Sequence, residues 1–190
     1  IFQLNIKNYI KNLLGMRKPI EMCICFFRLF LWIAVVGAMG MIFWFSAQNG
    51  MASSQLSGGI TEKVVEVVEP DFASLPEPGL QTLFDAVQFA VRKSAHFSVY
   101  ALLSFLLRPL CASYALRRGG LVAWLCGTGY AATDELHQWF VAARSAMWQD
   151  VCLDSSGVLA GVLLATGILA LIAYRRNRRR TSHDRGKGSV

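Results

Sequence analysis

Charge is scarce in this sequence. Only 16% of its 190 residues are Asp, Glu, Lys or Arg, while 54% are hydrophobic and 12% aromatic; an ordinary soluble domain carries about 25% charge. That balance excludes a disordered chain, a collagen-like chain and a coiled coil. Proline is also sparse, at five residues, and no segment repeats. The five cysteines, Cys23, Cys25, Cys111, Cys126 and Cys152, are odd in number, form no CxxC spacing and lie in or beside apolar runs. They read as buried free thiols acting as small hydrophobes, which excludes a secreted disulfide scaffold. Acidic residues number 12 against 19 basic ones, a net charge of +7. The basic residues flank apolar stretches, so membrane orientation explains them better than a nucleic-acid partner does.

What is present is a set of long apolar runs with a mean hydropathy of +0.41. A bilayer core of about 30 Å takes roughly 20 apolar residues as helix. Four stretches meet that length: about 23–45, 95–116, 119–141 and 151–174. The expected fold is therefore all-α, an integral membrane bundle of four transmembrane helices. No cleavage site follows the first stretch, which reads as an anchor. Met16-Arg17-Lys18 is a more natural start than Ile1, so residues 1–15 stay outside the functional argument. They suit a short interfacial helix, with Ile6, Ile10, Leu13 and Leu14 opposite Lys7 and Lys11.

Lys and Arg set the orientation. Lys7, Lys11, Arg17, Lys18 and Arg28 precede or open the first span. Arg108, Arg117 and Arg118 sit at the second turn, and Arg175, Arg176, Arg178, Arg179, Arg180, Arg185 and Lys187 follow the last span. Only Lys63, Arg92, Lys93 and Arg144 fall on the other side, so both termini are expected in the cytoplasm. The organisation read from this is a basic cytoplasmic segment 1–22, a transmembrane domain 23–174 and a basic cytoplasmic tail 175–190. Within the domain, 46–91 forms an extracytoplasmic loop. Ser53 to Gly59 in that loop reads as irregular, followed by short helices over 61–68 and 80–91. The tail is expected to be disordered beyond one turn past Tyr174. Arg108-Pro109 reads as a snorkelling arginine at a kink.

Several polar residues sit where a span should be apolar. Arg92, Lys93 and His96 open the second span; Asp134, Glu135, His137 and Gln138 lie in the outer third of the third; Arg144 and Ser145 follow it; Asp150 and Asp154 open the fourth. The orientation gathers all of them at the extracytoplasmic face. Arg92, His96 and Tyr100 share a helix face by four-residue spacing, as do Asp134 with Gln138 and Asp150 with Asp154. Gly127, Gly129, Ala131 and Ala132, and Ser155, Ser156, Gly157 and Gly161, thin the adjoining faces for close packing. Ionisable groups in hydrocarbon cost about 2.5–3.5 kcal/mol each on the insertion scale, which makes them a functional hypothesis by default.

The residues also carry a resemblance. Arg92-Lys93-Ser94-Ala95-His96-Phe97 with Tyr100, then Asp134-Glu135-Leu136-His137-Gln138-Trp139-Phe140 with Arg144-Ser145 and Asp150-Val151, resembles the two motifs of the VanZ-like membrane protein family. The stretch Phe43-Trp44-Phe45-Ser46-Ala47-Gln48, with Ser53 and Ser57, is similar to that family's first loop. The resemblance covers about residues 26–173. It departs at Asp154-Ser155-Ser156-Gly157, where the family usually has an asparagine-containing stretch. It implies a small multi-pass protein of the bacterial cytoplasmic membrane, in a family whose founding member is associated with resistance to the glycopeptide teicoplanin.

Three uses of the polar cluster follow. In the first, His96, His137, Asp134 and Glu135 transfer protons. Arg92, Lys93, Tyr100, Gln138, Arg144, Ser145, Asp150 and Asp154 then bind an anionic lipid-linked cell-wall precursor or the antibiotic directed at one. His96 and His137 should then sit on facing helices, and the function should vary with pH near neutrality. The second use is ligand binding without chemistry, and the third is a structural network that only fixes helix packing. The spacing matches no zinc motif and there is no HExxH, so no metal site is expected. The sequence names no cofactor.

Overall fold

The computed structural model describes residues 2–48, 50–72, 76–141 and 147–187. Every regular element among them is an α-helix: α1 Phe2–Ser46, α2 Gly50–Val68, α3 Glu77–Ser113, α4 Gly119–Gln138 and α5 Trp148–Lys187. Three helices are long and apolar enough to cross a membrane, over Glu21–Ser46, Glu77–Ser113 and Trp148–Arg179. The fourth expected span, α4, has 20 residues. Its glycines, Thr128, Tyr130 and the Asp134-Glu135 pair dilute its apolar content below that of the others.

Side-chain contacts fix the helix directions. Near one end, Arg28 and Trp32 of α1 bond Ser113 and Tyr114 at the end of α3, so α1 and α3 run antiparallel. Ser104 donates to Val158 O at 2.8 Å and Arg108 Nε to Thr166 Oγ1 at 3.0 Å, while Lys93 pairs with Asp150, so α3 and α5 run parallel. Tyr130 donates to Met39 O at 2.7 Å and Ser46 to Asp134, so α4 runs with α1. The chain therefore goes up, down, up and down, and α4 covers the same depth as its neighbours. α2 bridges α1 and α3 at one end and packs on α3 through Thr61 and Val65, which are fully buried.

The core follows from spacing. Leu31, Val35, Ala38 and Ile42 recur every three or four residues on α1 and meet Tyr100, Leu103, Leu110, Ala131 and Val158. The opposite face of α1 leaves Phe26, Phe30, Ile33 and Val36 at 60–66% exposure, the outward apolar surface that lipid solvates. α3 and α5 approach through Gly157 and Gly161. A Cβ at Gly157 would overlap the Phe97 carbonyl oxygen, and one at Gly161 the Ala101 oxygen and Ser104 Oγ. Gly127 similarly admits Val158 Cγ1, which would sit 2.7 Å from an added Cβ, whereas Gly129 faces open space.

Several expectations are corrected. The stretch 53–59 is helical rather than loop, as part of α2, because Thr61 Oγ1 bonds Ser57 O at 2.9 Å and the buried Thr61 and Val65 hold the helix on α3. The expected helix 80–91 and second span are one helix, since no Gly or Pro interrupts Val91 to Ala95. Residues 2–15 continue into α1 through Pro19 instead of forming a separate helix. The tail stays helical to Lys187, because its basic residues are good helix formers and its first glycine is Gly186. Arg108 does not snorkel to an interface; it is half-buried and tied sideways to α5. Of the five free cysteines only Cys111 is buried, because the others fall on the outward faces of α1, α4 and α5.

Candidate functional site

The polar residues gather where the ends of α1 and α4 meet the middle of α3 and the start of α5. They separate into groups that the sequence had suggested as one pocket.

The first group is closed. Asp134 Oδ2 accepts from Ser46 Oγ at 2.8 Å and from Gln138 Nε2 at 3.1 Å, and Gln138 Nε2 also reaches Ser46 Oγ at 3.5 Å. All three side chains are buried. Gln138 is one turn after Asp134 on α4, so helix geometry supplies one donor and α1 the other. Tyr100, also buried, neighbours both Asp134 and Asp154. Its hydroxyl and Asp134 Oδ1 make no hydrogen bond in this arrangement.

The second group ties α5 to α3 and α4. Lys93 Nζ pairs with Asp150 and also lies 5.2 Å from the Phe89 ring centroid. Glu135 Oε1 accepts the Met147 backbone N–H at 2.7 Å, just before α5 starts. His96 Nδ1 stands 3.7 Å from Asp154 Oδ2, and Asp154 is 1% exposed. Thr128 and Ser155 add a hydroxyl pair at 2.9 Å between α4 and α5.

The two histidines turn to different partners. His96 looks to Asp154 of α5. The His137 ring stacks on Phe43 of α1, with centroids 4.6 Å apart, and its Nε2 is buried without a partner. Arg144 and Ser145 lie outside the described residues.

The third group is open. A cavity of about 320 Å³ runs between the end of α1, the side of α2 and the middle of α3. Its walls are mostly apolar: Ile42, Phe45, Ile60, Val91, Ala95 and Val99. Ser46, Gln48, Ser57, Arg92 and His96 complete the lining. Arg92 is half-buried and makes no ion pair among the described residues. Gln48 Oε1 is buried without a partner. Ser46, Gln48, Phe43 and the whole α2 wall were not among the residues expected at the site. The signal for the first three was present, since they stand in the Phe43-to-Gln48 stretch that carries part of the resemblance. The α2 wall left no such trace, because its Ser- and Gly-rich start reads as loop.

No group of three or more His, Cys, Asp or Glu side chains among the described residues is placed to hold a metal ion. Chemically, Lys93 with Asp150 and Ser46 with Asp134 and Gln138 are paired within the protein, whereas both Asp154 oxygens, like Asp134 Oδ1, the Tyr100 hydroxyl and His137 Nε2, are buried without a hydrogen bond. The cavity edge adds a cation and an amide.

Fold and site together define a multi-pass α-helical membrane protein with a polar cluster at one end of its bundle. The sequence pattern of the VanZ/LLP1 family matches residues 30–172, well over half of the chain, and the chain belongs to that family. No curated protein and no solved structure matches it.

Proposed function

We propose that this chain is a VanZ-like cell-envelope protein of the bacterial cytoplasmic membrane. In this reading it crosses four times, keeps both termini inside, and binds an anionic lipid-linked cell-wall component, or the glycopeptide directed at one, at the outer leaflet. Support for the fourth crossing comes from α4 itself. Twenty helical residues span about 30 Å, the hydrocarbon thickness, and α4 runs the full depth between the Arg108 end and the Ser46 end. The sided distribution of Lys and Arg supports the orientation.

One observation carries the functional reading. Arg92 is half-buried on the wall of the cavity, which no carboxylate lines, while the carboxylates of the cluster stand against other groups: Asp150 pairs with Lys93, Asp154 lies 3.7 Å from His96, and Asp134 accepts from Ser46 and Gln138. A guanidinium with no carboxylate partner among the described residues, at one end of a membrane bundle, is suited to phosphate or carboxylate of a ligand. His96, on the same cavity, is the histidine within reach of such an anion; His137 is not on that cavity. Any proton transfer is thus assigned to His96 with Asp154 ahead of His137, Asp134 and Glu135.

A structural reading has its own observation, the closed Ser46–Asp134–Gln138 network, and the two readings divide the cluster between them. The test compares Arg92→Gln with Asp134→Asn for stability, for binding of polyprenyl phosphate and for teicoplanin susceptibility of a host. Arg92→Gln should fold normally and lose about tenfold or more in binding, the value of one charge-assisted contact. Asp134→Asn should lose stability first. If Arg92→Gln binds and protects like wild type, the ligand reading fails and the structural one stands.

A further inference from the structure

The cavity beside Arg92 is apolar over most of its wall. From Arg92 to Val99, α3 descends two turns, roughly 10 Å, with Arg92 and His96 set among Val91 and Ala95 before Val99 ends the wall. α1 runs the opposite way, with Gln48 toward the Arg92 end and Ile42 toward the Val99 end. Ile60 of α2 closes the side. The volume of about 320 Å³, walled mainly by Ile42, Phe45, Ile60, Val91, Ala95 and Val99, suits the first carbons of an alkyl chain.

The end with Arg92 and Gln48 is incomplete in a way that specifies a head group. Arg92 needs anionic oxygens. The Gln48 amide has a buried oxygen with no donor, and such a group costs free energy until it is paired. A phosphate monoester in its monoanionic form satisfies both, with charged oxygens on Arg92 and its one P–OH donating to Gln48 Oε1, whereas the dianion that dominates above a second pKa of about 6 serves Arg92 alone. A carboxylate supplies the first and not the second.

We infer that the cavity holds the head-proximal carbons of a single-chain phosphate amphiphile, with phosphate at Arg92 and Gln48 and the chain directed toward Val99 and Ile42 along α2. This rests on the reading that Arg92 recognises an anion, and adds to it the tail and the wall that receives it.

The test uses the full chain in phosphatidylcholine nanodiscs, with dodecyl phosphate, farnesyl phosphate, butyl phosphate and dodecanol as probes. At least one long-chain phosphate should bind ten or more times tighter than butyl phosphate and than dodecanol. Preference for farnesyl over dodecyl assigns a prenyl source, and the reverse assigns an acyl one. Arg92→Gln should weaken the long-chain phosphate about tenfold. Ile60→Trp, at a rim position already 57% exposed, should fill the cavity without unfolding α2. It should weaken the long-chain phosphate about tenfold and leave butyl phosphate unchanged. A diazirine on the chain should crosslink to residues around Ile60 or Val99. Dependence on Arg92 with no effect of Ile60→Trp and no crosslink there would overturn the tail site while sparing the anion reading. Full affinity in Arg92→Gln would overturn both.

Discussion

Arg92 and Lys93 are consecutive, so a helix sets their side chains about 100° apart. That angle decides their roles. Lys93 turns to α5 and is consumed by Asp150, while Arg92 turns to the cavity between α1 and α2. The sequence made both residues legible as site candidates, because charge inside a span is expensive. It could not tell the cation that pairs with Asp150 from the one that lines the cavity, since that depends on which helix lies beside each face. The histidines repeat the lesson: four-residue spacing linked His96 to Tyr100 and Arg92, but only packing shows His137 on Phe43. Asp134 is a case where the pairing is local and visible, with Gln138 one turn away; its second donor, Ser46, comes from 88 residues earlier. Ser46→Ala should leave that buried carboxylate short of a donor and cost about 1–3 kcal/mol of stability. Reversible unfolding in mixed micelles measures it. A cost under about 0.5 kcal/mol would show that water or Tyr100 replaces the hydroxyl.

The turn between α3 and α4 shows how an element end is built. α3 stops with Ala115 in the left-handed region at φ 54°, where Leu116 N–H returns to Cys111 O at 3.2 Å and Ala115 N–H to Ala112 O at 2.9 Å. This double return is the Schellman pattern, in which glycine is the usual residue. Ala115→Gly should therefore be neutral or stabilising by up to about 1 kcal/mol, because glycine meets no Cβ penalty there. A clear loss of thermal stability would contradict the assigned backbone. The α3–α5 contact has the opposite requirement. Gly161→Ala inserts a methyl against Ala101 O and Ser104 Oγ, and should cost about 1–3 kcal/mol by forcing the helices apart. The glycine spacing announced this contact in the sequence, although it did not say which helix would be met. Helix continuity was the least legible feature. Ser- and Gly-rich residues before Thr61 and the basic tail both read as non-helical from composition, and tertiary contact or the lack of breakers made them helix.

At the scale of the whole molecule, the alternating helix directions bring the middle of α3 and the start of α5 to the ends of α1 and α4, and this gathers the polar residues there. The all-α membrane fold was legible because apolar runs of span length are hard to place anywhere else. α4 was read as a span from its apolar run over about 119–141, and Asp134, Glu135 and the glycines within it leave its apolar content below that of the three span-length helices. The most direct measurement places Cys at position 92 in a chain whose five native cysteines are replaced by Ala or Ser. A small, membrane-impermeant, negatively charged thiol reagent is added to bacterial spheroplasts with and without dodecyl phosphate, and to lysed membranes. Because the Cys replaces the arginine that holds the head group, a parallel sample carries Cys at the neighbouring cavity position 95 with Arg92 intact. The expected result is labelling of both positions in intact spheroplasts, with dodecyl phosphate slowing the reaction at 95. Labelling at both positions only after lysis, or a rate at 95 indifferent to the amphiphile, would contradict an outward-facing site for an anionic single-chain ligand.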